Sequence, residues 1–322
     1  MLPRAAKLPP AVRENVREMY EGHKERFENE LSELLGVPWT FDFDPLAIYP
    51  YAELQPSDFP KEYLGNVLQI YMAGAVTSLK WLVEKYGDTG RKELNKIAHA
   101  HTIELDVGEP EQIVNPFDSG TAVVDGKLAI LFKADGFGSM PDYALTQDSL
   151  FPALTAASES MSQPMTFLAR LGLNMNYGRE KTLLEQIRKK FSDMLKKEIT
   201  LDPNFDKVFA KLLAESKRPG NRLASVLHGW QLEFGLHVSN YFGVAAYQMQ
   251  SIGFGTDEVL RERFHNLVDS GIIKLRIVDA LKRNKDFEVE IKDGVLYVQT
   301  TPEKWCLWSH NNNDDIDVGD FA

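Results

Sequence analysis

Residues 221–252, NRLASVLHGWQLEFGLHVSNYFGVAAYQMQSI, form the stretch on which the fold turns. The run has no proline, is apolar around most of its circumference and follows a turn-prone Arg218-Pro219-Gly220-Asn221. It closes on Gly253, a residue that suits the left-handed cap of a helix. A surface helix carries one wide polar face. This stretch carries none, so it is expected to be a helical rod wrapped by other elements. Ser225, Gly229, Gly235, Ser239, Gly243 and Ala246 punctuate it with small side chains that let neighbouring backbones come close.

Within the rod, Glu233, His237 and Asn240 fall on one face, in steps of four and three, with Arg222 further along. The plainer expectation is a buried hydrogen-bonded network that fixes helix packing. The sharper one is a proton-transfer site, with His237 as the candidate catalytic group oriented by Glu233. His228 and His237 are nine residues apart, point to opposite sides and cannot share a metal.

Outward from the rod, the chain has 322 residues, of which 43% are hydrophobic and 11% aromatic, ample for a real core. A net charge of −11 argues against a body that wraps nucleic acid by neutralising phosphates. The one cysteine, Cys306, excludes an intrachain disulfide and a multi-cysteine metal site, and fits a reducing, cytoplasmic compartment. No apolar run of signal-peptide length opens the chain, and polar residues interrupt the apolar helices too often for a bilayer span. A soluble protein without a membrane partner is expected.

The predicted fold class is α+β. Residues 1–140 form an N-terminal α/β half with a small sheet: Trp39–Asp44 and His101–Val107 alternate as strands, and Thr121–Val124 with Lys127–Phe132 flank Asp125-Gly126, a hairpin signal. Residues 141–255 form a mainly helical domain around the long buried helix. Residues 256–308 form a module of two helices, the second over Leu275–Arg283, and a hairpin turning at Asp293-Gly294, a winged-helix-like layout. In that hairpin Val289 pairs with Val298 and Ile291 with Leu296, facing inward, while Glu288, Glu290 and Lys292 face solvent. Residues 309–322 form a mobile acidic tail. No internal repeat is legible.

Three further groups of residues could carry function. Asp42, Asp44, Glu104 and Asp106 would share one side if their strands are neighbours, and His101 stands close by. Such a cluster suits a divalent cation cofactor, Mg²⁺ or Mn²⁺, and a metal-dependent hydrolase or transferase. Lys274, Arg276, Lys282, Arg283 and Lys285 give the last module a basic side, but Asp279, Asp286, Glu288 and Glu290 interrupt it, so a nucleic-acid partner is not favoured. Asp314, Asp315, Asp317, Asp320 and Phe321 combine charge with a terminal aromatic, the composition of a partner-docking peptide. No complete catalytic motif occurs. The leading expectation is an interaction or assembly protein that self-associates, as a homo-oligomer or with a protein partner.

Overall fold

Two Asp-Gly dipeptides reverse the chain where the sequence places them. Asp125 and Gly126 have φ of 51° and 76°, and Asp293 and Gly294 have 52° and 71°, the left-handed pair that a tight type I′ turn requires. Around each turn stands a four-stranded sheet, one in each of two compact units, Met1–Gln163 and Pro164–Ala322. These units are seen in a computed structural model that describes the chain except residues 1, 114–118, 144, 160, 162, 174–182, 221–228, 284, 308–315, 317 and 322, and the side chains at 318 and 320.

In the first unit, α1 (Pro10–Asn15), a π-helical turn (Val16–Glu21) and α2 (Gly22–Leu35) run as one helical stretch to Gly36, whose φ of 75° ends it. After β1 (Thr40–Asp42) come α3 (Pro45–Glu53), the short α4 (Asp58–Glu62) and the long α5 (Leu64–Ile97), broken at Gly87 with φ 56°. Then follow β2 (Thr102–Val107), β3 (Ser119–Val124), β4 (Lys127–Phe132) and α6 (Gln147–Glu159). The sheet order is β1-β2-β4-β3, with β1, β2 and β4 parallel and β3 antiparallel to β4. Phe41, Ile103, Leu128 and Ile130 are fully buried on one face, each worth about 1.5–3 kcal/mol of burial. Thr40, Asp42, Thr102, Glu104 and Asp106 lie on the other, because side chains alternate along a strand.

The second unit holds α7 (Phe167–Leu173), α8 (Leu183–Leu195), β5 (Thr200–Asp202), α9 (Phe205–Ser216), α10 (Phe234–Ser251), α11 (Glu258–Leu267), β6 (Ile272–Ile277), β7 (Glu288–Lys292) and β8 (Val295–Thr300). Its sheet order is β5-β6-β8-β7, with the same parallel and antiparallel pattern. The likeness extends to single contacts. Ser32 Oγ accepts the Trp39 N–H at 2.9 Å, and Ser192 Oγ accepts the Ile199 N–H at 3.1 Å. The Thr40 N–H donates to His101 O at 3.0 Å, and the Thr200 N–H to Gly271 O at 3.0 Å. A Cβ on Gly65 would overlap the backbone of Asn15, and one on Gly235 the backbone of Gly172. The two units are copies of one topology, which corrects the expectation of no repeat.

The buried rod is present in part, as α10: Phe234 and Phe242 are fully buried, residues 229–233 form turns instead of helix, with Gly229 at φ 82°, and residues 221–228, with Leu227, lie outside the described residues. The expected helix over Leu275–Arg283 is instead largely strand β6. Ile273, Leu275 and Ile277 are buried in alternation, and the strand is paired on both sides, with β5 and β8. Helix, strand and hairpin therefore replace the winged-helix order. Because β5 lies in the expected helical domain and β6 in the expected terminal module, one sheet joins them. The expected boundary near residue 140 also moves, since Phe137 and Leu145 are buried within the first unit, which extends to Gln163. The β7–β8 register is as expected, but Glu288 is only 2% exposed. Its carboxylate accepts the backbone N–H groups of Lys282 and Arg283 and the Gln299 amide, which replace water. Among the described residues, no helix is long and apolar enough to cross a membrane.

Candidate functional site

The acidic residues of the first sheet meet only in part. Asp42 and Glu104 are register partners across the parallel β1–β2 pair. Both face Lys127 at the start of β4: its Nζ is hydrogen-bonded to Glu104 and stands 3.5 Å from Asp42. The hydrogen bond that Lys127 donates to Glu104 leads the effects that raise the Lys127 pKa. Asp44 is engaged elsewhere. It caps α3, accepting N–H bonds from Leu46 and Ala47 at 3.0 and 3.3 Å, and it pairs with Arg4 at 2.8 Å. Partial burial pulls its pKa up, but the Arg4 and backbone hydrogen bonds outweigh it and hold the carboxyl below its ordinary value. Asp106 is exposed and accepts the N–H of its neighbour Val107. His101 bends the chain at φ 50°, with its ring 5.5 Å from that of Trp39. Among the described residues, no three His, Cys, Asp or Glu side chains converge as a metal site requires.

In the second unit Glu233 and His237 do meet, at 3.4 Å. His237 is 7% exposed on α10, with its ring 6.3 Å from Trp305, whereas Glu233 is half in solvent. Burial lowers the histidine pKa against the pull of Glu233. The arrangement places the imidazole in the core, where burial favours its neutral form. Arg222 lies outside the described residues.

The tail departs from the docking-peptide expectation. Asp314, Asp315 and Asp317 lie outside the described residues, as does the side chain of Asp320. Phe321 is 1% exposed, with ring centroids 4.8 Å from Phe254 and 6.3 Å from Phe264. Ile316 is buried too, and its N–H donates to Gln248 Oε1 at 3.0 Å. The aromatic anchor is spent on the core of its own unit, because Phe gains more by burial there than it would at a solvated end.

A cavity of about 890 Å³ lies in the first unit, between α2, α5 and the turn Pro141–Tyr143 that leads to α6. A Cβ on Gly74 would sit 2.7 Å from the Asp142 backbone, so glycine at 74 is what lets the turn lie on α5. Phe27, Ile70 and Trp81 give the cleft an apolar floor, and Arg26, Gln69 and Asp142 give it a polar rim. The Arg26 guanidinium lies over the Phe27 ring, 4.4 Å from its centroid. Sequence reasoning missed this site. Its signal was Gln69, Thr77 and Ser78 in the otherwise apolar stretch 67–79 of α5, a mixture that suits a half-wet wall.

The second unit does not repeat these features. Counted from Ser32 and Ser192, Arg26 corresponds to Gln186; counted from Gly65 and Gly235, Ile70 corresponds to Asn240, Gly74 to Val244 and Trp81 to Ser251. What the fold needs is held in both copies, whereas the cleft residues differ. Compared with protein-family models, with curated proteins and with solved structures, the chain matches none.

Proposed function

We propose that the protein acts by association rather than catalysis, and that the cleft of the first unit receives an amphipathic segment of a partner protein. The observation that carries this reading is that cleft: about 890 Å³ of mixed apolar and polar lining on a scaffold whose other copy has Gln186, Asn240, Val244 and Ser251 at matching positions. An apolar floor with a few polar groups at its edge is the usual make-up of a recognition site. Arg26 calls for a carboxylate on the segment, and Phe27, Ile70 and Trp81 call for an apolar or aromatic side chain beside it. The half-buried Cys306 is in keeping with a reducing, cytoplasmic setting.

The probe for this reading is anilinonaphthalene sulfonate, an apolar anion. The intact protein should bind it saturably with a rise in its fluorescence. Ala73→Trp, which fills the cleft, should abolish that binding, and Arg26→Glu should weaken it about tenfold, equivalent to roughly 1.4 kcal/mol. Binding that survives both substitutions would remove the cleft from the account. The metal-dependent enzyme reading has no comparable support, because Lys127 occupies the place between Asp42 and Glu104 that a cation would take.

A further inference from the structure

The polar sheet faces of the two units differ at matched strand positions. Ile103 pairs with Leu128 and Ile273 with Leu296, each leucine two residues past the glycine of its hairpin. On that register Glu104 corresponds to Lys274 and Asp106 to Arg276, so both acids of the central strand are replaced by bases. Size is exchanged as well. Ala129 corresponds to Tyr297 and Ala122 to Glu290, and Val124, 52% exposed, corresponds to Lys292. The first face sets Asp42, Glu104 and Asp106 against one base, Lys127, so it is acidic on balance, and it is shallow, with an exposed valine at its edge. The second is raised and sets Lys274, Arg276, Lys282 and Lys292 against Asp202 and Glu290, basic on balance, with the Arg276 guanidinium 4.1 Å from the centre of the Tyr297 ring.

We propose that the acidic sheet face of the first unit in one copy of the chain seats the basic, tyrosine-bearing face of the second unit in another copy. Two such contacts related by a two-fold axis would close a dimer, because each chain offers one face of each kind. Charge and shape favour this pairing together: the exposed Asp42 and Asp106 meet bases, and the small Ala122 leaves room for Tyr297. Within the second face Arg276 is bonded to Glu290 and Gln299, and Lys274 to Asp202. Those bonds hold the long side chains in place, which reduces the ordering cost of association. Like charges set opposite one another exclude the alternative in which two acidic faces meet.

The test uses the full chain and two exposed positions, Asp106 and Lys292, so that neither substitution disturbs an ion pair described above. Light scattering and sedimentation across a dilution series should show a dimer that weakens between 50 and 500 mM salt, as expected of about a threefold shorter screening length. Asp106→Lys and Lys292→Glu should each weaken self-association about tenfold while the melting transition stays cooperative. Mixing the two variants should restore a dimer, because one of its two contacts then pairs the introduced lysine with the introduced glutamate and the other is native. A wild-type chain that is monomeric at all concentrations overturns the proposal. So does a dimer indifferent to both substitutions, or a pair of variants that mixing fails to rescue.

Discussion

Tyr71 and Tyr241 hold the same place in the two units. The Tyr71 hydroxyl accepts the Gly138 N–H at 3.3 Å and its ring lies 6.0 Å from that of Phe137. The Tyr241 hydroxyl accepts the Cys306 N–H at 3.2 Å and its ring lies 5.0 Å from that of Trp305. Gly138 and Cys306 are both left-handed, with φ of 77° and 65°. Each tyrosine thus ties the long helix of its unit to the segment that leaves the central strand. Burial drives both phenols to higher pKa, so they act as neutral hydrogen-bonding groups.

Removing either hydroxyl leaves a backbone N–H short of its acceptor in the core. Tyr71→Phe and Tyr241→Phe should each destabilise the protein by about 1–3 kcal/mol in urea unfolding. Tyr241→Phe should be the costlier, since that hydroxyl also donates to Lys304 O at 3.3 Å. A change below about 0.5 kcal/mol at both sites would show that the shared tie carries no weight.

Glycines in the two long helices divide into required and replaceable. Gly65→Ala and Gly235→Ala place a methyl group against the backbones of Asn15 and Gly172 and should cost at least about 1–3 kcal/mol. Gly243→Ala meets Ile187 at an ordinary 3.5 Å and should stabilise by about 0.5–1 kcal/mol through helix propensity. Thermal melting of the three variants should show this opposition in sign.

Phe321 fills a core position beside Phe254 and Phe264, so Phe321→Ala should cost about 3–5 kcal/mol, the usual range for a buried phenylalanine. A tail held only by solvent would make the same substitution silent in denaturant unfolding.

His237 makes stability depend on pH. Burial lowers its folded pKa beneath the ordinary 6.5. Above pH 6.5 both states are neutral and the favourable contribution is complete. As the pH falls below 6.5, the unfolded chain takes up a proton that the folded one resists, and stability is lost until the folded pKa is passed. The slope from this one group is at most about 1.4 kcal/mol per pH unit. Counted from Gly65 and Gly235, Val67 is its counterpart, so His237→Val supplies a residue the fold already accepts there. Urea unfolding from pH 5 to 8 should show the wild-type slope and its reduction in the variant.

Features set by local chemistry were legible in the sequence. Asp-Gly fixes a turn by its left-handed φ values, and Val289 and Val298 fix a register by alternation. Features set by tertiary pairing were not. Residues 272–283 contain apolar residues at helical spacing, and only the β5 and β8 partners on either side select a strand over 272–277. The repeat was hidden because matching positions differ in chemistry, as Glu104 and Lys274 do. It was hidden also because the spacing drifts: Thr40 matches Thr200, Gly65 matches Gly235, and Gly126 matches Gly294. Asp44 and Asp106 were expected near Asp42 from strand alternation alone. The strand ends at Asp42, which leaves Asp44 to cap a helix.

The duplicated sheet is tested most directly by nuclear Overhauser contacts and secondary chemical shifts in the deuterated full chain. Two parallel ladders should appear, Ile103 beside Leu128 and Ile273 beside Leu296, with strand shifts over both Thr102–Val107 and Ile272–Ile277. Helical shifts over 272–277, without contacts from there to Thr200–Asp202 or Val295–Thr300, would contradict the account.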